Sequence, residues 1–361
     1  MKNKLIVFIT SHALGQIPSQ RFRFEQYLSI VERNGFKVKV FPFFNQHDTK
    51  VVRNQSAALI TAFVIMRAIL KRLVDLAKIS RADFVFIHRE AIPVGPPVYE
   101  WLIAKLLRKK IIYDFDDAIW LTDNLHESAI QKILRCRWKV ASICRWSYKV
   151  SCGNAYLASF ARQYNSNIVI NPTTIDTENL HNPNLFPKQA SSEFFRIAWT
   201  GSSSTLKYLE DLGQLLEGVE KNYPKIEFIA IADRPPKLPV NNVKFVPWSL
   251  ETEISSLVNA DIGLMPLPDD QWAKGKCGFK ALQYMALEIP TIASPVGVNT
   301  AIIEHGKNGL LATGDGEWFQ SILRLIHDSE LRKTIGREGR KTVVNQYSVA
   351  SNTKNFLSLF Q

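Results

Sequence analysis

Short apolar runs alternate along the chain with longer stretches whose apolar residues recur at helical spacing. Runs of this kind, bounded by turn residues, predict buried parallel strands, and the amphipathic stretches between them have the length a crossover helix needs. In the first half the pattern predicts strands at 5–10, 37–41, 83–88, 110–114, 148–152 and 167–170, with helices at 21–33, 57–78, 97–108, 127–146 and 155–163. A second series predicts strands at 196–199, 226–231, 243–246, 261–265 and 291–294, helices at 206–219, 251–258, 279–287 and 317–327, and a closing helix at 348–359. Between the series, residues 178–193 read ENLHNPNLFPKQASSE, rich in Asn, Pro and Ser and without period.

The expected fold class is therefore α/β: two Rossmann-like doubly wound domains facing across a cleft. The expected boundaries are 1–180, a linker at 181–194, 195–347, and a closing segment 348–361 that can pack back on the first domain. Ligands of open parallel sheets bind beyond the carboxyl ends of the strands, so the strand-to-helix loops are where chemistry is sought.

Composition supports this and excludes other classes. The 361 residues are 46% hydrophobic and 22% charged, the balance of globular domains rather than of a disordered or fibrous chain. Four cysteines, Cys136, Cys144, Cys152 and Cys277, form no CxxC pair and no disulfide framework, which suits a reducing compartment. The apolar run 5–9 is too short for a signal peptide, and the run 57–66 stops at Arg67, short of the roughly 20 residues of a membrane span. A cytoplasmic location follows as the expectation.

Charge divides unevenly. The total is 45 basic against 33 acidic residues; residues 1–180 hold 26 and 14, residues 181–361 hold 19 of each. The segment 131–149 carries Lys132, Arg135, Arg137, Lys139, Arg145 and Lys149 interleaved with Trp138 and Trp146, and 61–78 adds Arg67, Lys71, Arg72 and Lys78. Basic helices bearing Trp suit weak contact with an anionic membrane surface, on the inner face of the plasma membrane. The alternative is two crossover helices with solvated basic faces. No nucleic-acid partner is expected, because no platform of aromatic residues on strands is evident.

Three groups of loop residues suit chemistry. In the segment 266–299, Gly275 and Gly278 bracket Lys276 and precede a helix bearing Lys280, so backbone N–H groups, a helix dipole and two ammonium groups can converge on a phosphate; the same glycines also fit an ordinary turn. The stretch WTGSSSTLKYLEDL places Gly201, Ser202 and Ser203 between strand and helix, with Lys207 one turn in; the serines equally suit capping. After the fourth strand, YDFDDAIW sets Asp114, Asp116 and Asp117 at the sheet edge, able to orient a hydroxyl, act as base, or cap a helix. His12, Ser19, Arg21, Arg23, His88, Arg89 and Glu90 lie at neighbouring strand ends.

Taken together, the Gly201 loop and ADIGLMPL…GKCGFKALQYMALEIPTIASPVGVNTAIIEHGKNGLLA resemble the donor half of retaining glycosyltransferases of the GT-B fold, family 4. The resemblance runs from about 196 to 347, and NPTTIDTENL resembles the family's interdomain segment; the first domain matches in layout. It implies that Gly201 lets a diphosphate approach, that Lys207 is the phosphate lysine, and that Gly278, with Phe279 after it, meets the diphosphate. Ser202 stands where the family keeps an arginine, and Gly275 and Gln283 stand where it keeps two glutamates. Lys276 and Lys280 are expected to supply the missing charge, and Gln283 to bond a ribose hydroxyl.

The implied activity is a retaining glycosyltransferase that moves a sugar from a nucleotide-diphosphate donor to a glycan or lipid-linked acceptor in cell-surface polysaccharide or glycolipid assembly, with no cofactor and no metal. Asp116, Asp117, Lys207 and Lys280 carry the catalytic expectation. Gly201, Ser202, Ser203, Lys276, Gly278, Phe279 and Gln283 are assigned to the donor, and His12, Arg21, Arg23, His88 and Glu90 to the acceptor. Two alternatives are a sugar-nucleotide epimerase of the same architecture and an inactive binding or scaffold protein.

Overall fold

A computed structural model describes residues 4–53, 58–122, 127–186 and 193–361. The chain forms two compact units, Met1–Thr173 with Thr353–Gln361, and Thr174–Asn352.

The first unit contains β1 (Leu5–His12), α1 (Pro18–Arg23), α2 (Leu28–Arg33), β2 (Lys37–Phe44), α3 (Gln46–Arg53), α4 (Ala58–Ile79) and β3 (Phe84–His88). It continues with α5 (Val98–Trp101), β4 (Lys110–Phe115), α6 (Ala129–Arg135), α7 (Lys139–Trp146), β5 (Lys149–Cys152), α8 (Ala155–Ala161) and β6 (Ile168–Ile170). The second contains β7 (Phe195–Thr200), α9 (Ser203–Glu210), α10 (Gly213–Asn222), β8 (Ile226–Ala232), β9 (Val243–Pro247), α11 (Glu253–Leu257), β10 (Ile262–Met265) and α12 (Gln271–Lys274). Next come α13 (Phe279–Ala286), β11 (Thr291–Ala293), α14 (Asn299–Ile302), β12 (Leu310–Leu311), α15 (Gly314–His327), α16 (Ser329–Thr342) and α17 (Val349–Leu357), which starts in this unit and ends in the first.

Both sheets are six-stranded and parallel, in the orders β2-β1-β3-β4-β5-β6 and β12-β11-β10-β7-β8-β9. Central strands covered on both faces must be apolar throughout, which is why Ile6–Ile9, Phe84–Ile87 and Ile111–Tyr113 are continuous buried runs. The direction of winding reverses between β1 and β3 and between β7 and β10. The carboxyl ends of those pairs open the crevices where such sheets bind ligands.

Several boundaries differ from the sequence pattern. The helix expected over 127–146 is two, broken at Cys136, whose φ of +46° ends α6 in the left-handed region. The helix expected over 206–219 likewise divides into α9 and α10. The segment expected to link the domains begins inside the second unit: Arg340 donates to the carbonyls of Thr177 (3.1 Å) and His181 (2.9 Å), and His181 is fully buried. Its residues 187–192 lie outside the described residues. The closing residues Thr353–Gln361 belong to the first unit, where Phe356 stacks on Tyr27 at 4.2 Å and Phe360 meets Phe8 and Phe84.

Candidate functional site

In the first unit the β1/β3 reversal brings together residues from α1, β3 and β4. Asp114, at the end of β4, is fully buried and satisfied from several sides: it pairs with Arg23, accepts from Ser151 Oγ (2.6 Å), and lies 2.9 Å from His88 Nδ1. On the far side of the same imidazole, Nε2 lies 2.8 Å from Ser19 Oγ. Burial works against the ionised carboxylate, but Arg23 and His88 outweigh it and hold Asp114 below its ordinary value.

One residue on, Arg89 adopts a φ of +59°, a conformation uncommon outside glycine, and its N–H donates to Asp114 O at 2.7 Å. That turn carries the guanidinium to both following carboxylates: Nε lies 2.9 Å from Asp116 Oδ1, and Nη2 lies 2.5 Å from Asp117 Oδ2. Burial again opposes ionisation of Asp116, yet Arg89, with His88, Arg23 and a hydrogen bond from Ser19, drives its carboxyl far below the usual range. A carboxylate so held is a weak base near neutral pH and a firm hydrogen-bond acceptor.

The structure separates the residues assigned to the acceptor. Arg23 is fully buried against Asp114, Ser151 and the Asn171 carbonyl, so it holds the strand ends together rather than facing a ligand. Glu90 meets the buried Lys139 at 3.3 Å, and burial raises its carboxyl above the ordinary value against that lysine's pull. His12 lies 3.1 Å from Thr49 Oγ1, and Arg21 packs 4.8 Å over the Phe22 ring. His88 and Arg23 are the members of this set that join the Asp114–Asp117 cluster.

In the second unit the β7/β10 reversal places the Gly201 loop beside the start of α13. A Cβ on Gly201 would lie 2.6 Å from Trp199 Cη2 and 2.8 Å from Lys280 Cε, so glycine is what admits both side chains to the loop. Lys280 lies 5.0 Å from the Trp199 ring centre and 3.3 Å from Thr205 Oγ1, joining the two loops. Gly278 precedes α13 with φ +70°, and a Cβ there would come within 2.3 Å of Ile302 Cδ1. The α13 terminus that follows begins at Phe279, with Gly278 at its N-cap.

Other donor-side residues differ from expectation. Ser203 is engaged by Asp233 at the end of β8, through its N–H (2.6 Å) and its hydroxyl (2.9 Å), while Ser202 Oγ lies 2.8 Å from Ser204 Oγ. Lys207 lies 5.1 Å over Tyr208 and Lys276 lies 4.8 Å over Trp272. Gln283 is fully buried: Nε2 donates to Glu253 at 2.9 Å and lies 3.3 Å from His181 Nε2, while Oε1 has no protein partner. A cavity of about 380 Å³ opens at the ends of β10, β11 and β12, lined by Tyr208, Asp211, Asp269, Ser294, Asp315 and Trp318 among others, with none of the three lysines in its wall.

Sequence reasoning missed Trp199, Asp233 and Glu253. Asp233 carried a usable signal, an acid at a strand end like Asp114. Glu253 carried none, since only folding brings it to Gln283.

Residues 195–328 match the family model for glycosyl transferases group 1, which takes in β7 to α15 and both loops around Lys280. This segment is a group 1 glycosyltransferase domain. Two curated relatives match shorter stretches: an uncharacterised glycosyltransferase of Methanocaldococcus jannaschii is 41% identical over 66 residues, covering 18% of this chain and 19% of that protein. EpsD of Bacillus subtilis, a provisionally named glycosyltransferase, is 35% identical over 85 residues, covering 23% and 22%. The matched stretch thus spans about a fifth of either relative's length.

The fold likeness extends over the whole chain. Sucrose-phosphate synthase from Thermosynechococcus elongatus superposes with a TM-score of 0.66 at 12% identity, over 99% of this chain and 98% of that one. A glycosyltransferase from Rickettsia africae gives 0.67 at 13%, over 100% and 98%. HepE from Anabaena, solved with UDP and glucose, gives 0.64 at 14%, over 99% of each. The glycosyltransferase domain and the unit before it therefore share the two-sheet GT-B architecture.

Proposed function

We propose that the chain is a retaining glycosyltransferase that takes a sugar from a nucleoside-diphosphate donor and passes it to a glycan or lipid-linked acceptor of the cell surface. The observation that carries the reading is Lys280, which ties the Gly201 loop to the start of α13. An ammonium group beside a helix N-terminus stabilises the charge that develops on a departing diphosphate. Lys207 and Lys276 add positive charge to the loops at the carboxyl ends of the strands.

UDP is the first donor nucleotide to test, because HepE, of the same architecture, was solved with UDP and with UDP-glucose. In the first unit, Asp116 and Asp117 are assigned to orienting the acceptor hydroxyl as hydrogen-bond acceptors. The partners in this reading are the donor, the acceptor and an anionic membrane surface met by the first unit. No metal or other cofactor enters it.

The test is a thermal-shift titration with UDP, GDP, ADP and dTDP and their sugar conjugates, since a ligand of the native state raises Tm by mass action. Stabilisation by one base series, reduced in Lys280→Ala, is expected. No shift with any of them would turn the reading toward a scaffold protein.

A further inference from the structure

Helix α4 is apolar on two opposite sides. Val64, Ala68, Arg72, Asp75 and Ile79 are buried against the sheet side. At about 100° per residue, Leu59, Phe63, Met66, Leu70, Leu73 and Val74 project within about 60° of the opposite direction, and all are more than half exposed. A soluble surface helix turns charged or polar residues outward there.

Two neighbouring elements do the same. Helix α6 has no buried residue and exposes Ile130, Ile133 and Leu134, with Trp138 following it at 60% exposure. Helix α5 and the turn after it expose Val98, Trp101 and Leu106. The 89–97 loop links the three: Ile92 packs on the apolar cluster of Phe43, Phe44, Val64 and Ala68, its carbonyl accepts from Lys139, and Gly95 N–H bonds to Leu134 O at 2.7 Å. Right-handed crossovers in the order β2-β1-β3-β4-β5 put α4, α5 and α6 on one side of the sheet.

Charge identifies what covers this surface. On α4, α5, α6 and the turn Leu102–Leu106, the exposed charged residues are Arg67, Lys71, Lys78, Lys105, Lys132 and Arg135, all basic. The acids of these elements, Asp75 and Glu100, are buried, and Asp48, which pairs with Arg67, is buried as well. A second copy would bring the same positive face against itself, whereas an anionic bilayer offers hydrocarbon beneath a negative headgroup layer.

We infer that the α4–α5–α6 face of the first unit inserts its apolar side chains into the headgroup region of an anionic membrane. This deepens the membrane contact of the proposed function and rests on it. It also revises the basis of that contact: Arg72 and Lys139 are buried and Arg137 pairs with Glu127, so exposed aliphatic and aromatic side chains, rather than a basic helix face, drive the association. Among the described residues no helix is long and apolar enough to cross a membrane, and the buried side of α4 holds it flat along the surface.

The experiment is flotation of the full chain with vesicles of phosphatidylcholine alone or mixed with phosphatidylglycerol, at low and high salt. Binding to the mixed vesicles is expected, weakened but not abolished by salt. The pair Phe63→Ser/Leu70→Ser is expected to lower it roughly tenfold or more, and Ile130→Ser/Ile133→Ser similarly. Lys71→Glu/Lys132→Glu is expected to lower it chiefly at low salt. These positions are exposed, so an unchanged Tm confirms folding.

Failure to float with mixed vesicles, or flotation indifferent to both apolar pairs, overturns the inference. So does self-association in sedimentation that Phe63→Ser/Leu70→Ser abolishes while vesicle binding is absent. UDP titration of the same variants keeps the two readings apart: vesicle binding without any nucleotide shift would sink the transferase assignment and leave this surface standing.

Discussion

The strand ends of the first unit and those of the second hold their cations in different company. In the first, Arg23 and Arg89 are packed against Asp114, Asp116 and Asp117, and Asp114 and Asp116 are held ionised. In the second, Lys207, Lys276 and Lys280 lie over Tyr208, Trp272 and Trp199. A carboxylate cancels the charge of the cation it meets, whereas a ring face positions an ammonium group. The first arrangement builds a rigid set of acceptors, and the second sets three ammonium groups against aromatic rings.

The largest effect that tests this contrast is Arg23→Ala. It leaves Asp114 buried without its main counter-charge, and a loss of about 3–5 kcal/mol in urea unfolding is expected. A loss under 1 kcal/mol would mean that Arg23 does not hold the cluster. Next is Lys280→Ala, expected to cut transfer about 10²–10³-fold with little change in Tm; transfer at the wild-type rate would remove Lys280 from the donor site.

Gly278→Ala forces a side chain into a left-handed backbone position against Ile302, and about 1–3 kcal/mol of stability should go with it, measured by thermal unfolding. The fourth prediction concerns pH. Asp114 and Asp116 are depressed in the folded protein, so their contribution is full above the unfolded value of about 4 and is lost as pH falls through their folded values. Stability measured from neutral pH down through that range should therefore fall on acidification, and Asp116→Asn should flatten the slope. The smallest effect is expected for Lys207→Ala, about 0.5–1 kcal/mol in nucleotide affinity by titration calorimetry.

The sequence exposed the sheets because strands buried on both faces cannot avoid being apolar, and Ile6–Ile9 or Ile111–Tyr113 have no other plausible fate. It exposed the Gly201 and Gly278 loops because their backbone and packing demands admit little besides glycine. The break at Cys136 was hidden: the helical pattern runs on through it, and a left-handed cysteine has no compositional mark. Glu253 was hidden for another reason. Its role comes from an element 30 residues from Gln283, and no local spacing encodes such a meeting. The two-residue β12 fell below the length at which periodicity can be read.

The return of Thr353–Gln361 to the first unit sets a timetable for biogenesis. Phe356 and Phe360 complete the aromatic layer over Phe8 and Phe86, but on the ribosome they appear only after residues 174–352 have been made. At about 5–20 residues per second that interval is roughly 10–40 s, during which one face of the first sheet waits for its cover. The domain begun first is thus the one finished last, and nascent-chain chaperones would meet its open aromatic face throughout.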